Sequence, residues 1–216
     1  MKLALIIIAA VSLLAFILLF FTAPPTKHAQ PDMPWQVVVH DPGHSEVFDI
    51  VLNKTTLQQA VNRFGQLEDV ALYQSSAGAY NLEAYFGKVL IGPLSARVIV
   101  NLQAPEQEMA SLAQNTSKRT STENGSLKWI LSPGQRQQQL LRTVTSLTFI
   151  PGYGGMDAAY LEQRFGAPQA RSKVDEHSEL WLYPHLGVRI LLDTEGKEVF
   201  EYVAPAQFST LLGDKQ

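Results

Sequence analysis

The sequence predicts an α+β protein: an N-terminal transmembrane helix followed by two tandem helix-plus-antiparallel-sheet units. Three observations support this fold class. Residues 3–21 form an almost uninterrupted apolar run. Beyond it, short segments carry apolar residues at the spacing of strands or helices. An Arg-Phe-Gly motif also occurs twice, 101 residues apart.

Composition limits the classes of protein to consider. The chain has 216 residues and is 46% apolar, which is enough for a hydrophobic core and argues against disorder. Its net charge of -3 lacks the basic footprint of a nucleic-acid binder, so we expect no nucleic-acid partner. The absence of cysteine excludes disulfide bonds, thiolate nucleophiles and cysteine-zinc sites.

The N-terminal apolar run has the length of a membrane span. Its 19 residues, interrupted only by Ser12, would form a helix of about 28 Å, close to the ~30 Å hydrocarbon core. A cleaved signal peptide is the alternative, but its apolar core is shorter, and Pro24 follows the candidate cleavage site. We therefore predict a signal anchor over residues 1–23. The expected location is the bacterial inner membrane, with a single span and the domain in the periplasm.

Composition shifts divide the rest of the chain. The predicted segments are a linker over residues 24–34, a first α+β unit over 35–104, a helical and polar insert over 105–143, and a second α+β unit over 144–216. The linker is rich in proline, which keeps a segment extended.

In the first unit, a turn at residues 41–44 separates two segments rich in β-branched residues and predicts a hairpin. Thr56 and Gln59 form a capping box that begins a helix, and Gly65 ends it after Phe64. Further strands are expected over residues 67–73, 80–86 and 96–102.

The insert is predicted to contain a helix over residues 105–113, a polar segment over 114–125, and a helix that Ser132 begins. In the second unit, Asp157 is expected to cap a helix that ends at Phe165. The other expected elements are strands over 145–150, 170–174, 179–183, 188–192 and 197–203, and a closing helix over 205–212.

The repeated motif suggests an internal duplication. Arg63-Phe64-Gly65 recurs as Arg164-Phe165-Gly166, and at the same offset Phe48 matches Phe149. Each predicted unit has one helix and a few strands, too little to bury a core alone. Packing each helix on one face of a sheet would leave the other sheet face available.

The second unit resembles a known family. Residues 150–168, followed by Leu-Trp-Leu-Tyr at 180–183, resemble the SmpA/OmlA (BamE-like) envelope proteins, and the likeness is clearest over residues 149–203. The tandem arrangement is similar to that of the beta-lactamase inhibitor protein family. The lipid-bearing cysteine of the SmpA/OmlA proteins is absent here. The resemblance implies a non-enzymatic unit that binds other proteins through its sheet or loops.

Four aromatic strand residues are the candidate partner-binding positions: Tyr80, Tyr85, Trp181 and Tyr183. Strand alternation places Tyr80 and Tyr85 on opposite faces of a sheet, and Trp181 and Tyr183 on the same face. Aromatic residues are enriched at binding hot spots, although they also pack into cores.

No catalytic, cofactor-binding or metal-binding residue is predicted. His40-Asp41-x-x-His44 has metal-like spacing but falls in a predicted turn. The chain lacks the common nucleophile and phosphate-binding motifs. A hydrolase site that pairs His177 with Glu83 or Glu179 in the fold is the alternative.

The sequence therefore favours a membrane-anchored, envelope-facing protein without catalytic activity, which binds or helps assemble another protein and needs no cofactor. Two alternatives stay open. One is an envelope hydrolase with a site assembled in the fold. The other is a small-molecule or lipid sensor, which an apolar cavity between the two units would favour.

Overall fold

A computed structural model of the chain describes residues 32–122, 125–154 and 156–212. The described residues belong to one compact unit. They form two sheets, of three and ten strands, and a few short helices.

The small sheet is an antiparallel meander of β1 (Val38–Asp41), β2 (His44–Val47) and β3 (Ile50–Val51). The predicted hairpin turn is present between β1 and β2. There the Asp41 carboxylate accepts a hydrogen bond from the backbone N–H of Gly43 at 2.8 Å, a common way to stabilise a tight turn.

The large sheet is antiparallel throughout, in the order β10-β11-β12-β13-β9-β6-β5-β4-β8-β7. Its strands are β4 (Asp69–Gln74), β5 (Tyr80–Ile91), β6 (Leu94–Leu102), β7 (Arg119–Ser121), β8 (Leu127–Ile130), β9 (Val144–Pro151), β10 (Ala170–Lys173), β11 (Ser178–Tyr183), β12 (Val188–Asp193) and β13 (Val199–Val203).

Four α-helices and a closing 3-10 helix are described: α1 (Leu57–Phe64), α2 (Glu106–Gln114), α3 (Pro133–Gln138), α4 (Ala158–Phe165) and the 3-10 helix Pro205–Leu212. The predicted starts of these helices are confirmed. Thr56 and Gln59 close the start of α1, and Ser132 and Gln135 that of α3. The Asp157 side chain caps α4 as predicted.

One face of the large sheet forms the core. Residues that pair across neighbouring strands share a face, so Val100 on β6, Leu147 on β9 and Tyr202 on β13 form one buried row. The small sheet covers this face, since Phe48 lies 6.1 Å from the ring of Tyr202 and stacks on Phe149 with ring centroids 5.0 Å apart.

The helices α1, α2 and α4 also pack on the core face. Phe64 of α1 contacts the ring of Phe86, and Phe165 of α4 contacts that of Phe200. Met109 of α2 packs against the same core cluster. The 3-10 helix lies on the opposite face, where its Phe208 and Leu211 pack with Val203 and Leu182 at one end of the sheet.

The predicted fold class, an α+β protein with two tandem helix-plus-sheet units, is wrong. The two helix-plus-sheet segments do not form tandem sheets, because β6 and β9 pair from Ala96↔Pro151 to Leu102↔Val144 and join all the strands into one sheet. The pairing of β6 with β9 satisfies the backbone N–H and C=O groups that these two strands would expose as the edges of separate sheets. The described chain is therefore mostly antiparallel sheet with few helices.

The duplication is also not supported at Phe48 and Phe149. Phe48 lies in the turn between β2 and β3 with a φ of 53°, whereas Phe149 lies within β9 and pairs with Val98 and Phe200. The two phenylalanines stack on each other across the core instead of occupying equivalent places.

The membrane predictions are corrected as well. No helix in the described ranges is long and apolar enough to cross a membrane. Of the described α-helices α2 is the longest, with 9 residues or about 13 Å, against the ~30 Å of a hydrocarbon core. The described residues therefore contain no membrane-spanning helix, against the predicted transmembrane signal anchor, single-span membrane partner and single-pass inner-membrane location. The anchor predicted over residues 1–23 lies outside the described residues.

Candidate functional site

The candidate site is the face of β8, β4, β5, β6 and β9 that points away from the core, which we call the open face. Helices α1 and α2 contact these strands through core residues. On the open face, Arg136 of α3 lies 3.7 Å from Asp69 of β4. The strand register places these side chains on the open face: Lys128, Ile130, Asp69, Ala71, Tyr73, Asn81, Glu83, Tyr85, Ile99, Asn101, Ser146 and Thr148. Most of them are half-buried, as expected for a sheet surface that borders solvent.

A chain of polar side chains crosses the middle of the open face. The Asn81 amide nitrogen donates to Glu83 Oε1 at 2.8 Å and to Asn101 Oδ1 at 3.1 Å. The Asn101 amide nitrogen donates to the Ser146 hydroxyl at 2.8 Å. These contacts link β5, β6 and β9 and hold each side chain in a defined position, which lowers the entropy lost on binding.

Glu83 is the charged residue at one end of this row of hydrogen-bonded side chains. Burial raises the pKa of the Glu83 carboxyl above its ordinary value of 4.5, although the hydrogen bond from Asn81 and the nearby charge of Lys128 act in the opposite direction. In the described part of the protein, Glu83 accepts one hydrogen bond and forms no ion pair within 4.0 Å.

Tyrosines border the polar chain on the open face. Tyr73 pairs with Asn81 across β4 and β5, and Tyr85 follows Glu83 on the same side of β5. Lys128 Nζ lies 5.6 Å from the centroid of the Tyr73 ring and 2.8 Å from Asp69 Oδ2. Burial lowers the pKa of Lys128, but its hydrogen bonds with Asp69 and Tyr73 outweigh burial and the net shift is upward.

The four aromatic residues predicted from the sequence occupy different environments. Tyr85 is half-buried on the open face, whereas Tyr80 lies on the core face with its ring 5.9 Å from that of Trp129. Trp181 and Tyr183 are fully buried. Burial raises the pKa of Tyr183 to about 12. Only Tyr85 of the four is therefore placed to contact a partner at the open face.

The structure does not bring His177 and Glu83 together. His177 lies in the turn before β11 and Glu83 on β5, five strand spacings away, or about 24 Å. His177 Nδ1 lies 3.5 Å from Glu195 Oε1, and Glu179 Oε2 accepts the indole N–H of Trp181 at 2.8 Å. The proposed hydrolase pairings are thus replaced by local contacts.

The two histidines with metal-like spacing form separate pairs. His40 Nε2 lies 2.7 Å from Glu46 Oε2, and His44 Nδ1 lies 2.9 Å from Asp41 Oδ1. The hydrogen bond from His44 and that from the Gly43 backbone lower the pKa of Asp41. These contacts stabilise the exposed β1–β2 turn.

A cleft of about 580 Å3 lies beside the β10–β11 and β12–β13 turns and carries several carboxylates. Its size fits a small molecule. However, Asp157, Asp175 and Asp193 each accept hydrogen bonds from backbone N–H groups, which cap α4 and the two turns. The backbone N–H of Met156 donates to buried Glu198. Turn and helix formation thus accounts for Asp157, Asp175 and Asp193.

Sequence reasoning identified Tyr85 and weighed Glu83, but it missed Tyr73, Asn81 and Asn101 as parts of one surface. The alternation along β5 indicates that Asn81, Glu83 and Tyr85 share a face. Their cross-strand neighbours depend on the register of β4, β6 and β9, for which the sequence has no local signal.

Comparison with protein-family models finds no match, and neither do comparisons with curated proteins and with solved structures. The resemblance of residues 149–203 to the SmpA/OmlA family stays a prediction.

Proposed function

We propose that this protein is a non-catalytic protein-binding module whose partner docks on the open face. The observation that carries the proposal is the asymmetry of the large sheet. Over β8, β4, β5, β6 and β9, one face packs against helices and the small sheet, and the other presents ordered tyrosine and amide side chains.

The composition of the open face supports a protein partner. Tyrosines supply large contact areas at low entropic cost and are enriched among binding hot spots. Tyr73 and Tyr85 flank a hydrogen-bonded polar centre in which Asn81 and Asn101 are already oriented. A partner would therefore meet a preorganised surface and lose little free energy in ordering it.

The dimensions of the open face support the same conclusion. Five strands about 4.8 Å apart and roughly 20 Å long make a surface of about 400–500 Å2. Each partner in a standard interface contributes about 800 Å2, so adjacent groups have to complete the contact. Leu90, at the end of β5, is 76% exposed and is suited to this role.

Site-specific photocrosslinking in the native host tests the proposal. A photoreactive phenylalanine analogue replaces Tyr85 in the full chain, and a matched variant carries it at Asn62, an exposed position on α1. We expect a discrete crosslinked protein, identified by mass spectrometry, from the Tyr85 position and not from the Asn62 position.

Two outcomes would contradict the proposal. The first is a Tyr85 variant that folds and forms no protein adduct. The second is the same adduct in equal yield from Asn62, which would show contact unrelated to the open face. Circular dichroism on both purified variants establishes that they are folded before the yields are compared.

A further inference from the structure

The carboxylate of Glu83 has an incomplete set of partners on the open face. Asn81 donates to Oε1 at 2.8 Å, and no described hydrogen bond reaches the other carboxylate oxygen. The side chain is half-buried, and burial raises its pKa. Lys128 acts on Glu83 only from beyond ion-pair distance, so a positive charge in direct contact with the free oxygen would offset more of the cost of burying this carboxylate.

The cations on this side of the sheet are committed elsewhere or too far away. Lys128 lies 2.8 Å from Asp69, which also lies 3.7 Å from Arg136. Arg97 is four residues along β6 from Asn101, the cross-strand partner of Glu83, and hence about 14 Å away. Lys88 pairs with Arg97 and lies at the same distant end of β5. The open face therefore leaves one carboxylate available to a positive group from outside.

The neighbours of Glu83 favour a planar cation. Ala71, directly opposite on β4, is small, and Tyr85 follows Glu83 on the same side of β5. Tyr73 lies diagonally across on β4, with Lys128 Nζ 5.6 Å from the centroid of its ring. Tyrosine rings attract cations, and a guanidinium stacks on them better than an ammonium because it is planar and more weakly hydrated.

We propose that the partner protein places an arginine side chain on the open face, against Glu83 and the ring of Tyr85. The proposal rests on the function proposed above, and it names the chemistry that the open face selects. The guanidinium donates to the free carboxylate oxygen of Glu83, while Asn81 keeps the other oxygen fixed.

The test uses the full chain and a peptide pair as the probe: acetyl-Ala-Arg-Ala-amide and the same peptide with citrulline, which has the same shape without the charge. Nuclear magnetic resonance follows the side-chain carboxyl carbon of Glu83 through a pH titration. We expect the arginine peptide to lower the pKa of Glu83 by about one unit. The citrulline peptide should leave it unchanged.

Variants link the effect to the carboxylate. Glu83→Gln should weaken binding of the arginine peptide about tenfold, the loss expected for one charge-assisted contact. Glu106→Gln, which removes an exposed negative charge from α2, should bind as the unmodified chain does. The amide spectrum of Glu83→Gln provides the folding check.

Equal pKa shifts with the two peptides, or no shift with either, would overturn the arginine proposal. Unchanged binding in Glu83→Gln would overturn it too. Each of these results leaves the photocrosslink at Tyr85 as an independent readout, so the arginine proposal can fail while the open face still binds a protein.

Discussion

Replacing Phe165 or Phe64 by alanine tests whether the large sheet unfolds as one unit. Its two halves, β4 to β8 and β9 to β13, meet where β6 pairs with β9. Each phenylalanine ends a helix, and each is 9% exposed. Truncating a buried phenylalanine to alanine costs about 3–5 kcal/mol, a large part of the ~5–15 kcal/mol that stabilises a domain.

The two substitutions should differ in their cost to stability, because the two phenylalanine rings have different aromatic neighbours. Phe165 lies 5.4 Å from the Tyr183 ring and 6.0 Å from the Phe200 ring, whereas Phe64 has one such neighbour among the described residues, Phe86, at 5.2 Å. An aromatic pair adds about 0.5–1.5 kcal/mol to area burial, so Phe165→Ala should cost roughly 1 kcal/mol more than Phe64→Ala.

Urea unfolding followed by tryptophan fluorescence and by circular dichroism measures both effects. We expect a single transition, shifted to lower urea by each substitution, because β6 and β9 join the halves. Leu90→Ala is the control: its side chain is 76% exposed, and its effect should stay within about 0.5 kcal/mol. Two transitions, each responding to only one phenylalanine, would refute the single cooperative sheet.

Three further predictions concern stability. Glu83→Gln should stabilise the protein at pH 7. The pKa of Glu83 is raised in the folded state, so ionising this carboxyl costs folding stability as the pH rises, and glutamine removes that cost. Thermal unfolding measured across pH should show the gain disappear below pH 4.5, where the carboxyl is protonated in both the folded and the unfolded state. Gly187→Ala should cost several kcal/mol in urea unfolding, since the added Cβ would lie 2.0 Å from a backbone oxygen at a φ of +71°. Gly78→Ala, at φ +89° with open space around it, should cost only about 1 kcal/mol, and equal losses would refute the clash. Tyr202→Phe should lose about 1–3 kcal/mol by the same assay, because the buried hydroxyl donates to the Pro34 carbonyl at 2.9 Å; an unchanged midpoint would argue against that bond.

Local elements of the fold were predictable because short-range chemistry determines them. Thr56, Ser132 and Asp157 were recognised as helix caps, and the structure confirms all three. Strand alternation along residues 80–86 likewise appears in β5. In each case the residues that interact lie within a few positions of one another, so the spacing in the sequence carries the information.

Long-range pairing was not predictable in the same way. The contact between Val98 and Phe149 joins residues far apart in the chain, and nothing local in either strand specifies the other. The polar segment predicted over residues 114–125 includes β7, which pairs with β8 through its backbone. An edge strand needs no apolar side chains, so its composition resembled that of a loop.

The candidate site shows the same division. Alternation separates Tyr80 from Tyr85, but it cannot tell which face becomes the core. Trp181 and Tyr183 were predicted to contact a partner and are instead buried, because the core face of β11 is the one that carries both. The hydrogen bonds from Asn81 to Asn101 and from Asn101 to Ser146 depend on the register of three strands, which only the fold determines.

The most direct measurement of the central claim is the affinity of the partner captured at Tyr85 for matched tyrosine variants. Isothermal titration would compare the unmodified chain with Tyr85→Ala on the open face and with Tyr153→Ala, which is 49% exposed and lies beyond the end of β9. We predict that Tyr85→Ala weakens binding at least about tenfold, as the loss of a hot-spot residue does, and that Tyr153→Ala leaves it unchanged. An unchanged affinity for a folded Tyr85→Ala variant would contradict the assignment of the open face as the binding surface.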